Sequence, residues 1–125
     1  MGTGFHDLEV WREAKSLAVE IYRVTTTLRD FSLRDQLRRA AVSVPSNIAE
    51  GDERDTDKDC VRFFFIAKGS LAELRTQLEI ATDVGLLAAA VTTPLLIRAT
   101  TLAKRLGALI KSRSPHVSVP IAPRL

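Results

Sequence analysis

The chain has 125 residues, 46% hydrophobic and 26% charged, with a net charge of +3, which fits one soluble globular domain and leaves no second core. A single cysteine excludes an internal disulfide framework, and no apolar run approaches the length that crosses a bilayer. The first residues lack a basic segment followed by an apolar one, so no signal peptide is expected, no membrane association is expected, and the expected location is cytoplasmic.

The first amphipathic segment runs from Leu8 to Leu28. Leu8, Trp11, Ala14, Leu17, Ala18, Ile21 and Leu28 recur at helical spacing, and Asp7 is placed to cap the free amides of the first turn. Arg29-Asp30-Phe31 reads as a turn. Ser32 then opens a second helix, with Asp35 at the spacing of a capping box, and Gly51 closes it in the left-handed conformation that glycine enters without steric cost. Asp52 to Asp55 is a charged loop. Thr56 and Asp59 repeat the capping pattern for a third helix that continues to about Val84 and stops at Gly85. Thr93-Pro94 restarts the chain, because proline suits a first turn where its missing N–H is not needed. The fourth helix reaches about Ser112, and Ser114-Pro115 ends it. Residues 1–113 are therefore expected to form the bundle. The proline-containing tail, 114–125, has no periodicity and is expected to be extended or disordered. No strand pattern competes, so the expected fold is all-α, four helices in antiparallel up-down-up-down order.

The middle helices carry polar stripes beside their apolar faces. On the second helix the stripe is Gln36, Arg39, Ser43, Asn47 and Glu50; on the third it is Asp59, Arg62, Ser70, Glu73 and Gln77. Antiparallel pairing places Arg39 near Ser70 and Glu73, and Asn47 and Glu50 near Arg62 and Asp59. The expected result is an Arg39–Glu73 ion pair inside a structural polar network that sets helix register, with Ala67, Gly69 and Ser70 allowing close backbone approach. Pro45 interrupts the second helix and is expected to kink or locally break it, since its ring crowds the Ala41 carbonyl.

Catalytic chemistry finds little support. Glu50 and Glu73 have the chemistry of an acid–base pair, yet no histidine, reactive cysteine or glycine-rich phosphate loop accompanies them. A di-metal bundle needs Glu-x-x-His pairs, whereas Glu53 and Thr76 stand three residues after Glu50 and Glu73; His6 and His116 lie at opposite ends of the chain. No enzyme, metal or cofactor is expected. Cys60, set among phenylalanines, reads as a buried structural thiol.

Charge is unevenly distributed. Residues 1–57 carry a balance of −3 and residues 58–125 one of +6, with no acidic residue after Asp83. The fourth helix gathers Leu95, Leu96, Ala99, Leu102, Ala103, Leu106, Leu109 and Ile110 on one side and Arg98, Lys104, Arg105 and Lys111 on the other. Four unpaired cations along one rod can neutralise phosphates, although a solvated surface has the same composition. On the middle helices Val42, Pro45, Ala49, Val61, Phe65 and Ala72 face away from the expected core, and contiguous apolar surface of that kind marks a protein contact, with another copy of the chain as the simplest partner.

Three ordered motifs carry a resemblance: Phe5-x-Asp7-Leu8-x-Val10-Trp11-x-x-Ala14, then Gln36-Leu37-Arg38-Arg39-Ala40-Ala41-x-Ser43-Val44-Pro45-Ser46-Asn47-Ile48-Ala49-Glu50-Gly51, then Phe63-x-x-Ile66-Ala67-x-Gly69-Ser70-Leu71-x-Glu73-Leu74. Together they resemble the four-helix-bundle proteins first noticed as reading frames within intervening sequences of bacterial 23S ribosomal RNA genes. The resemblance implies a left-handed bundle assembled into a homo-oligomeric ring, typically a pentamer, with no known catalysis. A related branch serves diversity-generating retroelements as an accessory protein that engages nucleic acid and a reverse transcriptase through a basic surface. This chain has Asp30-Phe31-Ser32 where the family often has a proline before the second helix, a difference confined to the turn. Two functions follow as expectations: an RNA-associated accessory protein using the basic fourth helix, or a purely structural or protein-interaction ring.

Overall fold

A computed structural model describes residues 4–114, which form one 3-10 turn and four α-helices. The turn spans Gly4–Asp7; α1 spans Glu9–Val24, α2 Phe31–Asp52, α3 Asp57–Asp83 and α4 Ala89–Arg113. The described residues are all-α, as the periodicity predicts, and the expected tail lies outside them apart from Ser114. Each helix turns one apolar stripe inward. Ile21, Leu37, Ile48, Phe64, Leu71, Leu74, Leu78, Leu102 and Leu106 are fully buried and form a single core shared by all four helices.

Several helix ends differ from the sequence expectation. Asp7 sits in the 3-10 turn rather than capping α1, whose cap position is Leu8 with no side-chain hydrogen bond. The reason is aromatic packing: Phe5, His6 and Trp11 cluster with ring centroids 4.1–5.0 Å apart, and Leu8 N–H donates to the Phe5 carbonyl at 3.0 Å. The far end of α1 stops at Val24, short of Leu28. There Thr25 and Thr26 hydroxyls donate to the carbonyls of Ile21 and Tyr22, so side chains take over as partners of the last turn. Asp30, not Ser32, caps α2 by accepting from Leu33 N–H at 3.0 Å. Thr56 caps α3 as expected, accepting from Asp59 N–H, and Gly85 follows that helix with φ +77°.

Thr93-Pro94 does not open α4. The helix begins four residues earlier, at Ala89, and Pro94 lies inside it. Thr92 is buried and its hydroxyl meets that of Thr82 at 2.7 Å, which ties the start of α4 to the end of α3. The carbonyl deprived of its donor by Pro94 is that of exposed Ala90, where water replaces it cheaply.

Gly51 is the most consequential correction. It is an ordinary helical residue, and α2 continues through it to Asp52. It is buried, and a Cβ there would stand 2.9 Å from the Cys60 carbonyl oxygen and 3.0 Å from both Phe63 Cβ and Phe64 Cδ1. Glycine is required for close approach of α2 and α3, not for a left-handed stop. Pro45 is also accommodated without a break: α2 is one continuous helix, Pro45 is buried, and Ser46 and Asn47 donate back to the carbonyls of Val42 and Ser43 at 2.8 Å.

Gly51→Ala is expected to destabilise the fold by roughly 1–3 kcal/mol, because backbone on one side cannot retreat. Gly107→Ala, where the added carbon would meet only Lys68 Nζ at 3.7 Å, is expected to stabilise it by about 0.5–1 kcal/mol by removing a glycine from a helix interior. Urea midpoints of the two variants against the parent chain check both signs.

Candidate functional site

The two polar stripes meet on the same α2–α3 seam. Ser43 and Ser70 hydroxyls lie 2.8 Å apart, and Asn47 Nδ2 donates to Ser43 Oγ at 3.0 Å and to the Ser43 carbonyl at 2.8 Å. Beside this bonded core a groove of about 320 Å³ opens between the helices, lined by Gln36, Arg39, Ala40, Ser43, Ser70, Glu73 and Gln77. The expected Arg39–Glu73 ion pair does not form. Among the described residues neither side chain has a partner, although both line the groove. Gln77 Oε1 is buried and lacks a hydrogen-bond donor.

The other end of the seam is organised within each helix instead of across it. Glu50 pairs with Arg54 one turn on, and Arg62 lies 4.0 Å from Asp59 one turn back. Arg54 and Arg62 guanidinium carbons both sit over the Phe63 ring, at 4.5 and 4.6 Å. Two cations are thus held over one ring at this end of the seam.

The cations of α4 are not equivalent. Arg105 is ion-paired with Glu9 and Glu13 of α1, and Arg98 donates to Ser16 Oγ at 2.9 Å. The expectation of four unpaired cations overlooks that α1 brings its acidic residues alongside this face of α4. Lys104 and Lys111 are exposed and have no partner among the described residues. They lie two turns apart, so they share a line along the helix. Gly107 stands between them, and Lys68 of α3 reaches over it. Lys68, also exposed and unpartnered, therefore joins Lys104 and Lys111 in a cationic patch across the α3–α4 seam. The sequence stripe missed Lys68 because it belongs to another helix.

A further cluster was not foreseen. Arg113, the last residue of α4, donates to Cys60 Sγ at 2.9 Å and to Asp52 Oδ1 at 3.3 Å, and its guanidinium lies 5.2 Å from the centre of the Phe64 ring. It ties together the ends of α2, α3 and α4. Cys60 is buried, as expected of a structural thiol, and burial pushes its pKa up, the nearby guanidinium offsetting only part of that effect.

Apolar exposure is narrower than the sequence stripes imply. Pro45 and Val61 are buried within the chain and Ala49 is partly buried, so they offer little surface. Phe65, Ile66 and Ile80 of α3 remain 43–50% exposed, with Ala72 exposed beside them and Val42 exposed on α2. Among the described residues no group of three or more His, Cys, Asp or Glu side chains is arranged to hold a metal ion, and no helix is long and apolar enough to cross a membrane.

Among the described residues, four helices around one core, a polar seam and a cationic patch define a helical bundle protein of the kind the sequence motifs resemble. The profile of the 23S rRNA-intervening sequence protein family matches residues 6–108, and the chain belongs to that family. A crystal structure of a protein of unknown function from the S23 ribosomal protein family of Bacteroides thetaiotaomicron is similar in fold, with a TM-score of 0.78 and 21% identity over 82% of this chain and 98% of that one. No curated protein matches the chain.

Replacing Arg113 with Leu is expected to cost roughly 1–3 kcal/mol by leaving partly buried Asp52 without its partner, and to push the Cys60 pKa higher still by removing the cation that offsets burial. The raised thiol pKa has a definite sign. Its stabilising contribution is complete below the pKa of the unfolded thiol and is lost as pH rises through the folded one, so the urea midpoint should fall on the alkaline side of the ordinary thiol range. Cys60→Ala should flatten that alkaline decline.

Proposed function

We propose that this chain is a non-catalytic, self-assembling bundle that acts as an RNA-associated accessory protein in the cytoplasm. The observation that carries the reading is the patch of three exposed lysines, Lys68, Lys104 and Lys111, none with an acidic partner. Unpaired ammonium groups on rigid helices meet phosphate oxygens at little ordering cost and displace counterions from the backbone. Arg98 and Arg105, first grouped with Lys104 and Lys111, take a secondary part here because α1 already engages them. No aromatic residue adjoins Lys104 or Lys111 on α4, which favours backbone contact with structured RNA over stacking on single-stranded bases.

The topology we infer is an antiparallel up-down-up-down, left-handed bundle. Its antiparallel sense is supported by contact pairs that run in opposite senses: Ser43 with Ser70 and Gly51 with Cys60, Ser16 with Arg98 and Glu9 with Arg105; its left-handedness follows from the family resemblance. Self-assembly is supported by the exposed Phe65, Ile66, Ala72 and Ile80 on α3, whose covering by another copy would remove apolar surface from water. A homo-oligomeric ring, a pentamer by family resemblance, would repeat the lysine patch and multiply weak contacts into avidity. The same apolar surface also favours a second reading, a purely structural ring or protein-interaction oligomer with no RNA role.

Two measurements test this. Titration of structured RNA at several salt concentrations should give binding that weakens steeply with salt, and Lys104→Glu with Lys111→Glu should weaken it by about tenfold or more and reduce the salt dependence. Binding absent at low salt, or unchanged in the double variant, leaves only the structural ring. By sedimentation, Phe65→Glu should shift the chain towards monomer; a parent chain that sediments as a monomer refutes the assembly.

A further inference from the structure

The groove between α2 and α3 holds an incomplete set of polar partners. Arg39 from one helix and Glu73 from the other line it without pairing, the Ser43 and Ser70 hydroxyls lie at its wall 2.8 Å apart, and Gln77 Oε1 is buried with no donor. These groups ask for different things. The Arg39 guanidinium is a planar fork of donors whose geometry matches a carboxylate. The Glu73 carboxylate only accepts, so it needs N–H groups.

We propose that this groove binds a small zwitterion carrying an ammonium group and a carboxylate, of the size of a free α-amino acid. The carboxylate faces Arg39. The ammonium, with three N–H donors, serves Glu73, and the serine pair meets the remaining polar atoms. A groove of about 320 Å³ has the dimensions of a small-molecule site. Charge narrows the class further. A phosphate or simple carboxylate would satisfy Arg39 but meet repulsion from Glu73, and a simple amine would reverse the fault, so only both charges on one molecule complete the set. This inference is independent of RNA binding and of assembly.

The test is an NMR titration of the ¹⁵N-labelled full chain with glycine and with L-glutamine, using sodium acetate and methylamine hydrochloride as separate probes at matched ionic strength. Saturable shifts are expected at the backbone amides of Ser43, Ser70 and Gln77 with at least one amino acid, with either half-probe weaker by about tenfold or more, which is about 1.4 kcal/mol. Arg39→Gln and Glu73→Gln, both at exposed positions, should each weaken amino-acid binding by about tenfold while preserving the spectrum. No saturation with either amino acid, equal affinity for acetate, or unchanged binding in the variants overturns the proposal and leaves a solvent-filled seam.

Discussion

At Gly51 the backbones of α2 and α3 approach so closely that one added carbon would stand 2.9 Å from a carbonyl oxygen. Most of the molecule's register follows from that contact. It seats fully buried Phe64 against the end of α2. Two turns further from the loop the same pairing sets Ser43 opposite Ser70, so the polar stripes share one seam. Asp52, one residue beyond Gly51, is thereby held where Arg113 can reach both it and Cys60. A wider spacing would loosen the aromatic packing, the hydroxyl pair and the ionic tie together, since interiors packed to this density do not stretch gradually.

Electrostatics in this bundle is decided by which helix lies alongside. Read alone, α4 is a uniformly basic rod. Packed against α1 it is divided: Arg105 faces Glu9 and Glu13, whereas Lys104 and Lys111 look the other way and gain Lys68 as a neighbour. One helix thus carries a neutralised edge and a free edge. The polar seam is divided in a similar manner. Its middle is closed by hydroxyl and amide contacts, its loop end by local pairs, and its remaining stretch is left open around Arg39 and Glu73.

What was legible in the sequence is the number of helices, their apolar faces and the caps at Thr56 and Gly85, because these depend on neighbours a few residues away. Other ends were misplaced where two plausible signals compete. Asp30 and Ser32 are both good caps, and the choice of Asp30 depends on Phe31 joining the helix. Thr93-Pro94 has the chemistry of a helix start, but the buried contact of Thr92 with Thr82 draws the helix back to Ala89. Gly51 has the chemistry of a stop, and only the presence of α3 shows that its missing side chain is needed for space. For the candidate sites, the stripes identify the residues that gather on the seam, but not the partners of long side chains. Glu50 takes Arg54 one turn away and Arg39 takes nothing, outcomes that helical spacing alone does not reveal. The tie made by Arg113 joins residues more than fifty positions apart and leaves no local trace.

The threonine contact between α3 and α4 has a direction that distance alone does not reveal. Thr82 donates its one hydroxyl proton to the Leu78 carbonyl at 2.8 Å, so the proton in the 2.7 Å contact with Thr92 has to come from Thr92. Proton ownership therefore runs one way, from the first turns of α4 through a hydroxyl of α3 to that helix's backbone. The two positions are consequently not interchangeable: a residue that only accepts could stand at neither, and one that fills space without a proton would break the relay at a different link in each case.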